Sequence, residues 1–136
     1  MLSSLKNIQE IEFPNYLDET GDISVYEEGN LIPFDISRVF VVSGKKGSYR
    51  GYHAHKECSQ LIICISGKCK IKCDDGSKQK EYILEHKTNG ILIPPMIWSV
   101  QHYMEKNTKI MVICNQLYDE KDYIKDYELF LSHGSI

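Results

Sequence analysis

The sequence predicts an all-β fold, a sandwich or closed barrel of short strands with one short helix at its C-terminal end, built as a single domain over residues 1–136. Three observations carry that reading. Short runs rich in Val, Ile, Phe and Tyr recur with Gly, Pro, Asn or Asp between them. Several of these runs alternate apolar with polar residues, the period of a half-buried strand. Only the stretch beyond Cys114 spaces apolar residues by three and four. With 42% hydrophobic residues in 136, the chain can bury one core.

Taken in order, Ile8 to Phe13 alternates as a first strand and Pro14-Asn15 interrupts it. Ile23 to Tyr26 is a second candidate after Gly21-Asp22. Glu28-Gly29-Asn30 reads as a turn and Pro33 as a further break. Ser37 to Ser43 is a β-branched strand, and Gly44 to Gly47 loops into a strand carrying His53 and His55. Gln60 to Ile65 is continuously apolar, and Ser66-Gly67 predicts a hairpin into Lys68 to Cys73, whose alternation puts Lys68, Lys70 and Lys72 on one wet face. Asp74 to Ser77 turns into a strand over Lys80 to Glu85; Thr88-Asn89-Gly90 turns into Ile91 to Pro94; Lys109 to Cys114 is the last core strand. Beyond it, Asp119 is placed to cap a helix starting near Glu120, with Tyr123, Ile124, Tyr127, Phe130 and Leu131 as its buried stripe and Gly134 as its stop.

A net charge of −3 gives no whole-molecule attraction to nucleic acid or anionic membrane. Five cysteines without a Cys-x-x-Cys pair, and no leader-like segment in Met1 to Phe13, point to a reducing cytoplasm. None of the five lies in a helix-terminal or basic activating pattern that would make it a convincing nucleophile. The basic residues are lysines apart from Arg38 and Arg50, which flank the histidine strand and suit planar recognition of phosphate or carboxylate.

The chemistry concentrates in Gly47 to Gly67. On an extended strand His53 and His55 face the same way, about 7 Å apart along the chain. The spacing of Gly47, His53, His55, Gln60 and Gly67 resembles the first signature of the cupin barrels, whose fold is a double-stranded β-helix or jelly roll. Metal-binding cupins carry Glu where Gln60 stands. In the second signature, read here as Gly90 to Ser99, Ser99 takes a histidine's place and Met96 a glycine's. With two of four ligand positions changed, the residues point to a site that uses no metal, with two neutral histidines near the ordinary pKa of about 6.5 as acid and base.

The resemblance extends further. Arg50 to Lys56, Gln60, Cys69 to Gly76, Pro94 to Trp98 and Tyr118 to Phe130 look like the sugar 3,4-ketoisomerases, across about Arg38 to Leu131. This resemblance implies a homodimeric cupin acting on dTDP-4-keto-6-deoxyglucose without a cofactor. The 3-keto product would be transaminated for surface polysaccharides such as the lipopolysaccharide O-antigen or an S-layer glycan. His53 and His55 are expected to move the protons. Arg50, Gln60, Tyr49 and Tyr52 are candidates for steadying the developing oxyanion, and Arg38, Arg50 and Lys56 for the diphosphate. Trp98 is a candidate for stacking on base or sugar. The family carries tyrosines where Val41 and Ser43 stand and a histidine at Ser99, and His102 is the expected substitute. The alternatives are a nucleotide-sugar 3,5-epimerase and a sugar-binding cupin without turnover.

Overall fold

The computed structural model describes residues 1–134. Its strands are β1 (Gln9–Glu12), β2 (Asn15–Asp18), β3 (Gly21–Ser24), β4 (Glu27–Glu28), β5 (Leu31–Ile32), β6 (Arg38–Gly44), β7 (Tyr49–His55), β8 (Gln60–Ser66), β9 (Cys69–Asp74), β10 (Gln79–Leu84), β11 (Asn89–Ile93), β12 (Trp98–Tyr103), β13 (Thr108–Cys114) and β14 (Tyr123–Ile124). One α-helix, α1 (Tyr127–Ser132), follows, and single 3-10 turns lie at Leu5–Asn7 and Glu120–Asp122. Two antiparallel sheets, ordered β1-β11-β8-β13-β6 and β10-β9-β12-β7-β14, form the barrel walls. Between them lies a core shared by Ile62, Cys64, Ile91, Ile110 and Val112 of the first sheet and Cys69, Ile71, Cys73, Tyr82 and Tyr103 of the second.

Strands β8 and β9 show how pattern becomes position. In β8, Ile62 and Cys64 face this core, while Leu61 and Ile63 face a second cluster with Phe13, Ile32 and Leu92 beneath the N-terminal segment. A strand covered on both faces must be apolar throughout, and each fully buried isoleucine contributes roughly 1.5–3 kcal/mol. In β9 Cys69, Ile71 and Cys73 face the core, Asp74 is buried at the strand's end, and Lys70 turns outward to Glu81 at 3.7 Å.

Two expectations are corrected. Ser66-Gly67 is not a hairpin turn: β8 pairs with β11 and β13, and β9 with β10 and β12. The chain crosses there from one sheet to the other, and Gly67, at φ +76°, lies so close to Thr108 that a Cβ would meet its Oγ1 at 2.4 Å. Nor does the terminal helix begin near Glu120. Asp119 caps only a 3-10 turn, Tyr123–Ile124 pairs as β14 with His55 and Ala54, and Asp126 caps α1 by accepting from the Leu129 amide at 3.0 Å. Ile124, Tyr127, Phe130 and Leu131 still bury together against Ala54, Met96 and Trp98, so strand and helix jointly cover one patch of the second sheet.

Candidate active site

Strand β7 carries both histidines, and a bulge in it decides which neighbours join them. Its ladder with β12 runs Tyr49↔His102, Arg50↔Gln101 and Gly51↔Val100, then skips Tyr52 to reach His53↔Ser99. Tyr52 is the extra residue, and Gly51 and Tyr52 have φ of +97° and +56°. A Cβ at Gly51 would sit 3.0 Å from the Ser99 carbonyl oxygen, so the close approach needs glycine. The skipped residue reverses the alternation and puts Arg50 on the inner face with His53. Ser99 and Gln101 share that face and are buried. Gln101 accepts from the Tyr103 hydroxyl at 2.7 Å.

The two imidazoles lie edge to face with centroids 4.9 Å apart. His53 Nδ1 is 3.0 Å from the Gly51 carbonyl oxygen, which can only accept, so the proton belongs on Nδ1. His55 Nδ1 likewise donates to Asp122 Oδ2 at 2.9 Å. The Glu57 amide holds the other Asp122 oxygen at 2.7 Å. In the neutral tautomers that result, each Nε2 carries a lone pair. His55 Nε2 is buried and has no hydrogen-bond partner among the described residues. Both titrate below the ordinary histidine value. Burial, reinforced by His55, pulls His53 down to about 4. Burial also lowers His55, and Asp122 offsets part of that. The expected value near 6.5 is corrected downward because both rings leave water.

Tyr123 closes the group, its ring centroid 5.0 Å from that of His53 and 4.4 Å from that of His55. Opposite, Arg38, Cys114 and Gln60 form a row across β6, β13 and β8. Cys114 Sγ receives Arg38 Nη2 at 3.8 Å and Gln60 Nε2 at 3.6 Å. Burial disfavours the Arg38 charge, but Tyr123 and Cys114 beside it more than compensate. Arg38 Nε, like His55 Nε2, is buried without a partner among the described residues.

Of the expected site residues, the structure gathers His53, His55, Arg38, Arg50, Gln60 and Ser99 toward the inner face. It does not bring in the others. Trp98 points outward and is buried against Tyr127 and Phe130, so it packs α1 and cannot stack on a sugar or base inside. His102 is also on the outer face, stacked on Tyr49 at 4.2 Å, and substitutes for nothing inside the barrel. Tyr52 is exposed at the bulge. Lys56 lies past the end of β7 in an outer groove with Gln116, Leu117 and Lys121.

Sequence reasoning missed Asp122, Tyr123 and Cys114. The first two read as members of a helix, and the arginine beside Cys114 is a neighbour across the sheet and not in sequence. Among the described residues, His55, Cys58 and Asp122 offer ligand atoms within 4.8 Å of one another. Asp122 is already engaged by His55 and Glu57, and Cys58 Sγ lies 3.4 Å from the Ser59 carbonyl, so a metal there would displace existing hydrogen bonds.

Fold and site together define a cupin-type barrel with two buried, closely packed histidines on its inner face. Residues 6–134 match the family model described as FdtA: WxcM-like, C-terminal. The chain is 36% identical over 121 residues to the TDP-4-oxo-6-deoxy-alpha-D-glucose-3,4-oxoisomerase of Aneurinibacillus thermoaerophilus, covering 88% of this chain and 87% of that one. It superposes on QdtA, a sugar 3,4-ketoisomerase from Thermoanaerobacterium thermosaccharolyticum in complex with TDP, with a TM-score of 0.92, 31% identity and 97% coverage of each chain. WlaRA, a TDP-fucose-3,4-ketoisomerase from Campylobacter jejuni, gives a TM-score of 0.87 at 32% identity, over 93% of this chain and 95% of that one. The chain belongs to the FdtA/WxcM-like family and is an isomerase of the sugar 3,4-ketoisomerase class.

Proposed function

We propose that this isomerase converts dTDP-4-keto-6-deoxyglucose into a dTDP-linked 3-keto-6-deoxyhexose, with His53 and His55 carrying the protons. The observation that carries the mechanism is the His55–Asp122 pair, which holds one imidazole with its buried Nε2, unpartnered among the described residues, free to accept. The substrate is supported by the named activity of the Aneurinibacillus relative and by a histidine-to-asparagine variant of QdtA complexed with TDP-4-keto-6-deoxyglucose.

The C3 hydrogen is acidified by the C4 ketone. One histidine takes it, the C–H electrons form the C3–C4 double bond, and the C4 oxygen becomes an enediolate oxygen. That oxygen gains a proton, the C3 hydroxyl loses one, and C4 is protonated as the C3 carbonyl forms. In balance, one proton moves from C3 to C4 and one from O3 to O4. Each histidine-mediated transfer contributes roughly 10²–10⁴-fold. Arg38 and Arg50 supply cationic donors on the same inner face for an oxyanion or diphosphate.

The product's new ketone suits transamination at C3, which fits the biosynthesis of 3-amino-3,6-dideoxy sugars for surface polysaccharide. Five buried free thiols support a reducing, cytoplasmic setting. The outward Val39 and Val41 of edge strand β6, each 52% exposed, support a homodimer through that sheet. Light scattering should give twice the chain mass, reduced to one chain by Val41→Lys.

The deciding experiment is proton NMR of the EDTA-treated protein with dTDP-4-keto-6-deoxyglucose in deuterium oxide. A 3-keto product deuterated at C4 is expected, and its couplings give the C4 configuration. Exchange at C3 and C5 with the carbonyl still at C4 would identify an epimerase, and unchanged substrate would overturn the reaction.

A further inference from the structure

The wall facing the histidine pair is built on a cysteine that the proposed chemistry does not use. Cys114 is completely buried at the end of β13, the central strand of three, directly opposite Arg38 on one side and Gln60 on the other. Directly opposed residues of neighbouring strands share a face at close range, so the three side chains form one row toward the barrel interior. Two donors point at a single sulfur, the Gln60 amide at 3.6 Å and the Arg38 guanidinium at 3.8 Å. Among the described residues no carboxylate forms an ion pair with Arg38. The rings of Phe40 and Tyr118 lie 5.1 and 5.4 Å from its guanidinium carbon.

We propose that Cys114 is held as a thiolate and acts as a positioning residue, the fixed anion that orients the Arg38 guanidinium beside His55 and Tyr123. Burial alone pushes a thiol toward the neutral form, as it does at Cys64, Cys69 and Cys73. Cys114 goes the other way, pulled down first by the Cys58 thiol and then by Gln60 and Arg38, against its own desolvation. Cys58 moves the other way, its thiol pushed up first by the neighbouring Cys114 sulfur and then by burial and Asp122. The titratable groups around the thiolate are thus Arg38 from β6, Cys58 before β8, and His55, Asp122 and Tyr123 from the histidine side. Of these, Arg38 is the cation that keeps the charge in place, and by reciprocity the thiolate offsets the field by which Arg38 lowers the basicity of His55.

The test has two arms. The first needs no substrate: thiolate absorbance in the ultraviolet, titrated on the whole protein. One thiol is expected to ionise well below the ordinary cysteine value. That step should vanish in Cys114→Ser and move upward in Gln60→Leu and in Arg38→Gln. Its absence from the wild-type protein would overturn the proposal even if Cys114→Ser failed to fold. The second arm rests on the ketoisomerase reading. Cys114→Ser should raise KM for the dTDP-keto sugar more than it lowers kcat, and should move the acid limb of kcat/KM to lower pH as the Arg38 charge goes uncompensated. A thiolate present in the first arm with KM and pH profile unchanged in the second would leave a buried ion pair and remove the positioning role. A protein inactive on this substrate yet showing the thiolate would fault the substrate, not the ion pair.

Discussion

The two faces of strand β12 lie one residue apart and have different purposes. Inward, Ser99 and Gln101 lie beside His53 and Arg50 in a polar chamber. Outward, Trp98 and Val100 are sealed under Ile124, Tyr127 and Phe130, while His102 stacks on Tyr49. Chemical type does not sort them: the outer face holds a tryptophan and a histidine, the residues a reader would assign to a site, and the inner face holds a serine, a glutamine and the core residue Tyr103. Ladder position sorts them, and a single bulged residue, Tyr52, aligns Arg50 with the chamber. The comparison teaches that in a barrel of this kind function is assigned by parity, and predictions should separate the faces.

The largest effect is expected at the inner face. His53→Asn and His55→Asn should each lower kcat by roughly 10²–10⁴-fold while the folded protein retains its circular dichroism and melting behaviour. Wild-type turnover in both variants would remove the histidine mechanism. Asp122→Asn should act through His55, because an amide can present an NH₂ to Nδ1 and favour the wrong tautomer, so that the loss falls on kcat more than on KM.

At the outer face the expected loss is in stability. Trp98→Ala removes a buried indole between α1 and the sheet and should cost about 3–5 kcal/mol in denaturant unfolding, with the enzyme that remains folded keeping its KM. A selective loss of substrate affinity instead would return Trp98 to the site.

The faces also differ in what acid does to them. Above pH 6.5, His53 is neutral folded and unfolded and contributes nothing that depends on pH. Between 6.5 and about 4 the unfolded chain binds a proton that the folded chain refuses. Stability therefore falls as pH drops through that window, at up to roughly 1.4 kcal/mol per unit, less for the part of the ring that water reaches. His53→Gln should flatten the loss, measured by urea unfolding across the window. Because both rings resist protonation, the acid limb of kcat/KM should also lie below the ordinary histidine range.

Much of this was legible in the sequence for physical reasons. The continuous apolar run of β8, the lysine alternation of β9 and the β-branched β13 each show how many of their faces are covered, and the histidine spacing shows that the pair shares a face. Strand β12 was not read as a strand: its alternation from Trp98 to Gln101 gives way to His102 outside and Tyr103 in the core. Asp122 and Tyr123 were hidden because the spacing of Tyr123, Ile124, Tyr127 and Phe130 fits a helix as well as it fits a strand followed by a helix. What separates the two is the pairing of β14 with His55, a long-range contact that no local pattern contains. Gly51 was the only sign of the bulge. The guanidinium that faces Cys114 comes from Arg38, 76 residues away in the chain.

The smallest effect is expected where the outer face is wet, and it is the control for the comparison. Lys70 sits on β9 beside His102, and its ion pair with Glu81 spans 3.7 Å with both side chains partly exposed. Such pairs are screened by water and lose side-chain freedom when they form, so their net contribution is small. Lys70→Ala and His102→Ala should each change stability by no more than about 0.5 kcal/mol and leave kcat/KM at its wild-type value. The His102 variant is the sharper of the two, since it deletes an imidazole three ladder positions from His53, to which the proposed mechanism assigns a proton transfer. If turnover fell with it as with His53, the assignment of faces by ladder position would be wrong, and with it the inner placement of Arg50, which rests on the same bulge.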